Sequence, residues 1–175
     1  MTEELLYKNF KSKISLSEEE FCLIESKFEK GFIKKKKDFL RIGEIANTMA
    51  FVNKGILRSY KIDSKGNENV IQIALEDYWI GDLYSFLSRT PSTMTVEALE
   101  DTEVLLLSSY NLEHLYLDVP IMERFFRKLY EKAYVSAQDR INSTLSVPAE
   151  ERYLNIIKMH PDIYKRVPLI HIASY

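Results

Sequence analysis

The spacing of hydrophobic residues along the chain changes period twice. Near the N-terminus, Ser17-Glu18-Glu19-Glu20 precedes Phe21, Ile24 and Phe28. A serine that can accept from orphan amides, with a glutamate three residues on that reaches back, predicts a capped helix. From Ile56 the helical spacing gives way to strand-like runs. Ile56 to Ile62 and Asn69 to Leu75 are rich in β-branched and aromatic residues and flank Asp63-Ser64-Lys65-Gly66-Asn67-Glu68, so they predict a β-hairpin. Met94 to Leu99 and Glu103 to Leu107, joined by Glu100-Asp101-Thr102, predict a second one. From Val119 to Leu145 the helical period returns at Met122, Phe126, Leu129, Ala133, Ala137, Ile141 and Leu145. This predicts one long amphipathic helix with Pro120 in its first turn. Pro148 then marks a hinge, the run Ala149 to His160 reads as helix, and Pro161 and Pro168 cut the remainder into short helices.

All five glycines lie between Gly31 and Gly81, which places the turns of a strand-rich unit there. The stripe of the long helix narrows to Ala133 and Ala137, where another backbone can come close, and it is longer than a small roll can cover. Met122, Phe126, Leu129, Ala133, Ala137 and Ile141 are therefore read as a self-association face of a homodimer. The competing reading is that the roll and the N-terminal helices cover the whole stripe.

Composition narrows the class. The chain has 175 residues, 46% hydrophobic and 29% charged, enough for one buried core with a surplus. Twenty-four basic against 26 acidic side chains give a net charge of −2, which offers no global attraction to nucleic acid or an anionic membrane. The one cysteine, Cys22, reads as a small packed side chain among Phe21, Leu23 and Ile24, and fits a reducing compartment. Apolar runs such as Val104 to Leu107 fall far short of the ~20 residues needed to span a bilayer. The acidic start Met1-Thr2-Glu3-Glu4 does not resemble a signal peptide. The expectation is a soluble cytoplasmic protein with no membrane partner.

Candidate chemistry is sparse. His114, His160 and His171 all lie outside the strand-rich region, which argues against a cupin-type metal centre or haem ligation in a roll. No phosphate loop, dinucleotide fingerprint or nucleophile motif is present, so no catalytic or metal-ligating residues are assigned and no enzyme is expected. Lys34-Lys35-Lys36-Lys37 reads as a solvated edge or turn. Tyr78 and Trp79 are read as closing the roll, with stacking on an aromatic effector as the alternative. One cluster remains: Gly81-Asp82-Leu83, then Pro91-Ser92-Thr93. Free amides, a carboxylate and two hydroxyls can hold a phosphate and a sugar, and the same residues can equally form a capped turn between strands.

The order Ile80-Gly81-Asp82-Leu83, a short helical segment Tyr84 to Leu87, Pro91 and Val96-Glu97-Ala98 resembles the phosphate-binding cassette of cyclic-nucleotide-binding domains. With Asp118-Val119-Pro120 opening the long helix, and with Pro148-Ala149-Glu150-Glu151-Arg152-Tyr153-Leu154, His160-Pro161, Arg166-Val167-Pro168-Leu169 and Ile172-Ala173-Ser174-Tyr175 after it, the chain most resembles the Crp/Fnr group of bacterial transcription regulators.

The resemblance implies an α+β fold of N-terminal helices, a β-roll (a double-stranded β-helix), a long C-terminal dimerisation helix and a partial winged helix. It implies boundaries at 1–118 for the effector domain, 119–147 for the dimerisation helix and 148–175 for the start of a helix-turn-helix. The chain ends inside that motif, so the expectation is a truncated regulator that reaches DNA only through residues beyond Tyr175.

The implied function is effector sensing that controls DNA binding, and the alternative is a stand-alone ligand-binding or protein-interaction module. Carried over residue by residue, the ligand-binding set is Gly81, Asp82, Leu83, Ser92 and Thr93, with Gln138, beside Ala137 on the long helix, as the far wall. No cofactor is assigned, and the effector that the resemblance implies is a cyclic nucleotide or another small anion.

One position departs from the pattern. Nucleotide-responsive members pair the cyclic phosphate with an arginine, and Ser92 stands there; the nearby guanidinium is Arg89. A buried phosphate without that partner loses several kcal/mol. At about 1.4 kcal/mol per tenfold in affinity, a micromolar ligand moves into the millimolar range. Ordinary cyclic AMP binding is therefore not expected.

Overall fold

The computed structural model describes residues 3–175, and at Glu3, Thr144, Leu145 and Ala149 the backbone alone. Leu145, the last position of the predicted stripe, thus lies outside the described side chains.

Two helices open the chain, α1 (Glu3–Lys11) and α2 (Glu18–Glu25). The predicted capping box is present: the Ser17 hydroxyl accepts from the Glu20 amide at 3.1 Å, and the Ser17 amide donates to the Glu20 carboxylate at 2.8 Å. Ile24 is fully buried beneath it, with Phe21 and Phe28 packed alongside. Cys22 is exposed and not packed as expected, because α2 turns the Cys22 and Leu23 side of its last turn to solvent.

Strands β1 (Glu29–Ile33), β2 (Asp38–Leu40), β3 (Thr48–Lys54), β4 (Leu57–Ile62), β5 (Glu68–Ala74) and β6 (Trp79–Ile80) follow. After helix α3 (Leu83–Ser88) come β7 (Thr95–Ala98) and β8 (Thr102–Ser108). They form two antiparallel four-stranded sheets, ordered β1-β8-β3-β6 and β2-β7-β4-β5. The predicted hairpin is β4 and β5, whose turn is organised by Asp63 accepting from the Lys65 and Asn67 amides at 2.8 and 2.9 Å.

The second predicted hairpin is not formed. β7 pairs with β4 and β2 while β8 pairs with β3 and β1, so the short connector carries the chain from one sheet to the other. The crossing is held by fully buried Thr102, whose hydroxyl lies 2.8 Å from the Glu100 carbonyl and accepts from the Ile56 amide at 3.2 Å. Gly55 passes directly beneath it. A Cβ there would lie 2.7 Å from the Thr102 Cα, and φ is +105°, so both space and backbone demand glycine.

Helices α4 (Ser109–Asp118), α5 (Ile121–Ser146), α6 (Ala149–Met159), α7 (Ile163–Arg166) and α8 (Leu169–Ser174) complete the chain. The main core joins both inner sheet faces to α1, α4 and the first turns of α5. Trp79 stands in an aromatic cluster with Phe10, Phe28, Phe51, Phe125 and Phe126, ring centroids 5.4 to 6.3 Å away. Asn9 ties α1 to the roll by donating to the Asp77 carboxylate at 2.8 Å.

The stripe of α5 divides in two. Met122 and Phe126 have no exposed surface and belong to the chain's own core, which corrects their assignment to a self-association face. Leu129 is partly buried against that core, whereas every residue from Glu131 to Asp139 is exposed, including Ala133, Ala137 and Gln138, and Ile141 is exposed beyond them. The physical reason is the drift of a straight helix: repeated steps of four carry the apolar line around the cylinder, away from the roll.

A second core lies on the other side of the molecule. The outward face of the β2-β7-β4-β5 sheet contributes Ile56, Val70 and Ile73, and α6 to α8 contribute Ile156, Ile163, Val167 and Ile172. Among the described residues, no helix is long and apolar enough to cross a membrane.

Candidate functional site

Strand β6 delivers the chain to Gly81 at the start of the cassette, and Asp82 caps α3. One Asp82 oxygen accepts from the Ser85 amide at 3.1 Å. The other accepts from the Ser92 hydroxyl at 2.7 Å, ten residues further on. Both side chains are almost wholly buried, at 2% and 3% exposure. The Ser92 hydroxyl also accepts from the Met94 amide at 3.1 Å. The Met94 carbonyl, at 2.9 Å, competes for the hydroxyl's single proton, and the Asp82 oxygen is the nearer acceptor.

Ser85 anchors the helix from below, accepting from the Ala46 amide at 3.0 Å and donating to the Thr90 carbonyl at 2.5 Å. The loop before β3 is sewn to the same place: the Gly43 amide donates to the Ser92 carbonyl at 2.8 Å, and the Ser92 amide to the Glu44 carbonyl at 2.7 Å. The cassette is thus a closed hydrogen-bonded unit in which both Asp82 oxygens are engaged.

The structure brings the predicted residues together in part. Asp82 and Ser92 touch, and Leu83 packs partly into the main core. Thr93 and Gln138 are exposed. Gly81 is not required by its packing, since an added Cβ would meet nothing nearer than the Thr48 carbonyl at 3.7 Å. Arg89 ends α3 in the left-handed region at φ 60°, exposed, with its guanidinium 5.3 Å from the centre of the Phe86 ring. Lys34 to Lys37 form the exposed turn between β1 and β2.

Two interior residues escape sequence reading. Ser59 of β4 stands opposite Val96 and Gln72 in the ladder, on the inner face, at 1% exposure. Gln72 donates to the Trp79 carbonyl at 2.8 Å, just ahead of the cassette. The available signal is alternation: Leu57 and Ser59 on one face, Ile56, Arg58 and Tyr60 on the other.

The outer face holds a charged centre that sequence reading passes over. Arg58, 4% exposed, donates through Nε and Nη2 to Glu97 at 3.0 and 2.6 Å and through Nη1 to Glu68 at 2.6 Å. Burial pulls against its charge, but the two carboxylates outweigh it and hold the guanidinium more firmly protonated than usual. The Nδ1 atom of His171 on α8 lies 3.0 Å from Nη1. Burial, then the Arg58 charge, push the His171 imidazole below its ordinary value.

Residues 32–118 match the family model of the cyclic nucleotide-binding domain. No curated protein matches the chain. FixK2 from Bradyrhizobium japonicum shares the fold with a TM-score of 0.70 at 20% identity, over 85% of this chain and 76% of that one. A Crp/Fnr-family transcriptional regulator from Eubacterium rectale gives 0.69 at 16% identity, over 91% and 76%. The c-di-GMP-responsive regulator CLP of Xanthomonas campestris gives 0.63 at 14%, over 87% and 74%. At these identities the likeness is one of fold, and among these neighbours only CLP carries a named effector.

Proposed function

We propose, for a chain that belongs to the cyclic nucleotide-binding domain family through residues 32–118 and shares the fold of Crp/Fnr transcription regulators, that it is a small-effector sensor. Its roll controls DNA binding, in the cytoplasm, through a dimer built on α5. The role is one of binding and allostery, with units at 1–118, 119–147 and 148–175.

The observation that carries this reading is the bond between Asp82 and Ser92. The cassette keeps its turn, its capped helix and a glycine whose packing leaves room beside it, but its carboxylate is turned onto a serine of the same cassette. An effector entering here meets the Gly81 backbone and the exposed Thr93, with no guanidinium at position 92. That favours a ligand other than cyclic AMP held by its phosphate.

The exposed half of α5 supports self-association. Tyr130, Tyr134, Ala137 and Ile141 follow steps of four and three, the spacing of a helix seam, and Tyr134 and Ile141 are 67% and 53% exposed. A groove of about 380 Å³ lined by Tyr116, Glu123, Arg127, Tyr130 and Glu131 continues the seam toward α4. A helix exposed on all sides for more than two turns gains little stability alone and much from a partner.

Calorimetric titration tests the effector reading. Cyclic AMP is expected to bind no tighter than millimolar, and a micromolar Kd that Asp82→Ala abolishes would overturn it. Sedimentation tests the dimer: the chain is expected to sediment as a dimer and Tyr134→Glu as a monomer. A wild-type chain that stays monomeric at tens of micromolar would refute the seam.

A further inference from the structure

The second core and the charges around it form the contact between α6 to α8 and the roll. Helices α6 to α8 lie on the outward face of the very strands, β4 and β5, whose inward face carries Ser59 and Gln72. Arg166 of α7 is forked across the rim, donating to both oxygens of Glu76, at 3.0 and 2.6 Å, and also to Glu100. Ser174 at the end of α8 covers the free edge of β5, accepting from the Val70 amide at 3.0 Å and donating to the Glu68 carbonyl at 2.8 Å.

How the polar groups divide across this contact is informative. The buried guanidinium of Arg58 is fully paired by Glu68 and Glu97, both on its own sheet, so removing the helices takes away His171 and leaves no buried charge stranded. Arg166, Glu76 and Glu100 are each about a third exposed, so water can replace their pairing. An interface whose charges are satisfied on each side separately, or reachable by water, is the kind that opens reversibly; breaking a buried pair that spans two elements would be far more costly. The connection to α5 is the two-residue link Val147-Pro148, both extended, and the proline offers no amide to continue the helix.

We propose that α6 to α8 are a stowed segment, latched to the outer face of the roll by Arg166 on Glu76 and Glu100, which leaves as one unit about Val147-Pro148. The latch itself needs no effector and stands or falls apart from the effector reading.

Amide hydrogen exchange on the 175-residue chain tests it. Arg166→Glu is expected to raise exchange across residues 149–175 at least tenfold while β3 and β8 keep their wild-type rates, and Arg166→Lys, which retains the charge, is expected to stay within about threefold of wild type. Two results would overturn the proposal: unchanged exchange in 149–175, or faster exchange there that β3 and β8 share, since the segment would then not be a unit of its own. Should Arg166→Glu fail to fold, the unaltered chain in 1 M salt provides the same readout. Screening is expected to raise exchange in 149–175 selectively, and a salt-independent pattern would refute the ionic latch.

Discussion

Replacing Ser92 by alanine removes one oxygen and disturbs two groups. One oxygen of the Asp82 carboxylate loses its partner and the Met94 amide loses its acceptor, at a place where the Asp82 and Ser92 side chains are almost entirely buried. A hydrogen bond to a charged group contributes about 1.5–3 kcal/mol, and a buried acceptor left unmatched sits at the upper end of that range. The expected loss is therefore about 2–3 kcal/mol, a fall in Tm of roughly 4–12 °C for a chain of this size. Asp82→Ala removes the α3 cap as well, with a further cost of about 1 kcal/mol. Because both changes break the same bond, the double variant should lose less than the sum, by about 1–2 kcal/mol. Urea denaturation followed by the fluorescence of Trp79, the one tryptophan, measures all four corners of the cycle. Effects that add to within about 0.5 kcal/mol would show that the two side chains act independently, and the closed cassette would be wrong.

Three further outcomes are expected. Gly55→Ala should cost more than about 2 kcal/mol in urea denaturation, since it combines a left-handed backbone with a Cβ driven into Thr102; a cost below 1 kcal/mol would mean the turn can shift. The Glu76 carboxyl is pushed up by burial, but hydrogen bonds from Arg166 and from the Gly55 amide outweigh that and bring it down to about 2. Its contribution is accordingly present above the ordinary value of 4.5 and lost as pH falls through about 2. Discounted for exposure, it amounts to about 1–2 kcal/mol, and a stability difference between wild type and Glu76→Gln that stays flat across that window would refute it. Phe126→Ala should destabilise the folded chain by about 3–5 kcal/mol as a core deletion, whereas Ala133→Ser should change stability by less than about 0.5 kcal/mol; similar effects from both would contradict the division of α5.

Much of the local structure is legible in one dimension because it is decided by near neighbours. The Ser17 box, the β4–β5 turn around Asp63 and the proline-started long helix each depend on residues a few positions apart. The cassette is legible as well, since Asp82 caps the helix that begins one residue later. The partner of a strand is another matter. The runs 94–99 and 103–107 read as extended, and a short connector suggests that they pair, but both find partners in opposite sheets. Cys22 fails for a related reason: apolar neighbours in sequence do not say which way an eight-residue helix will face.

The candidate site divides along the same line. That Asp82 and Ser92 belong to one cassette is visible in their motif. That they bond to each other, leaving both carboxylate oxygens engaged within the cassette, depends on a ten-residue excursion closing on itself. Arg58 is one more strand residue in the sequence, and becomes a charged centre only when β5 and β7 bring Glu68 and Glu97 to either side.

By itself, then, the sequence determined the elements, the cassette and the long helix, because capping, turn chemistry and periodicity act over a few residues. Only the tertiary structure decided which half of α5 is core and which is exposed, and that α6 to α8 rest on the outward face of β4 and β5. Those outcomes depend on which surfaces meet across sequence separations of more than a hundred residues, where burial and charge pairing select among arrangements that local preference leaves equal.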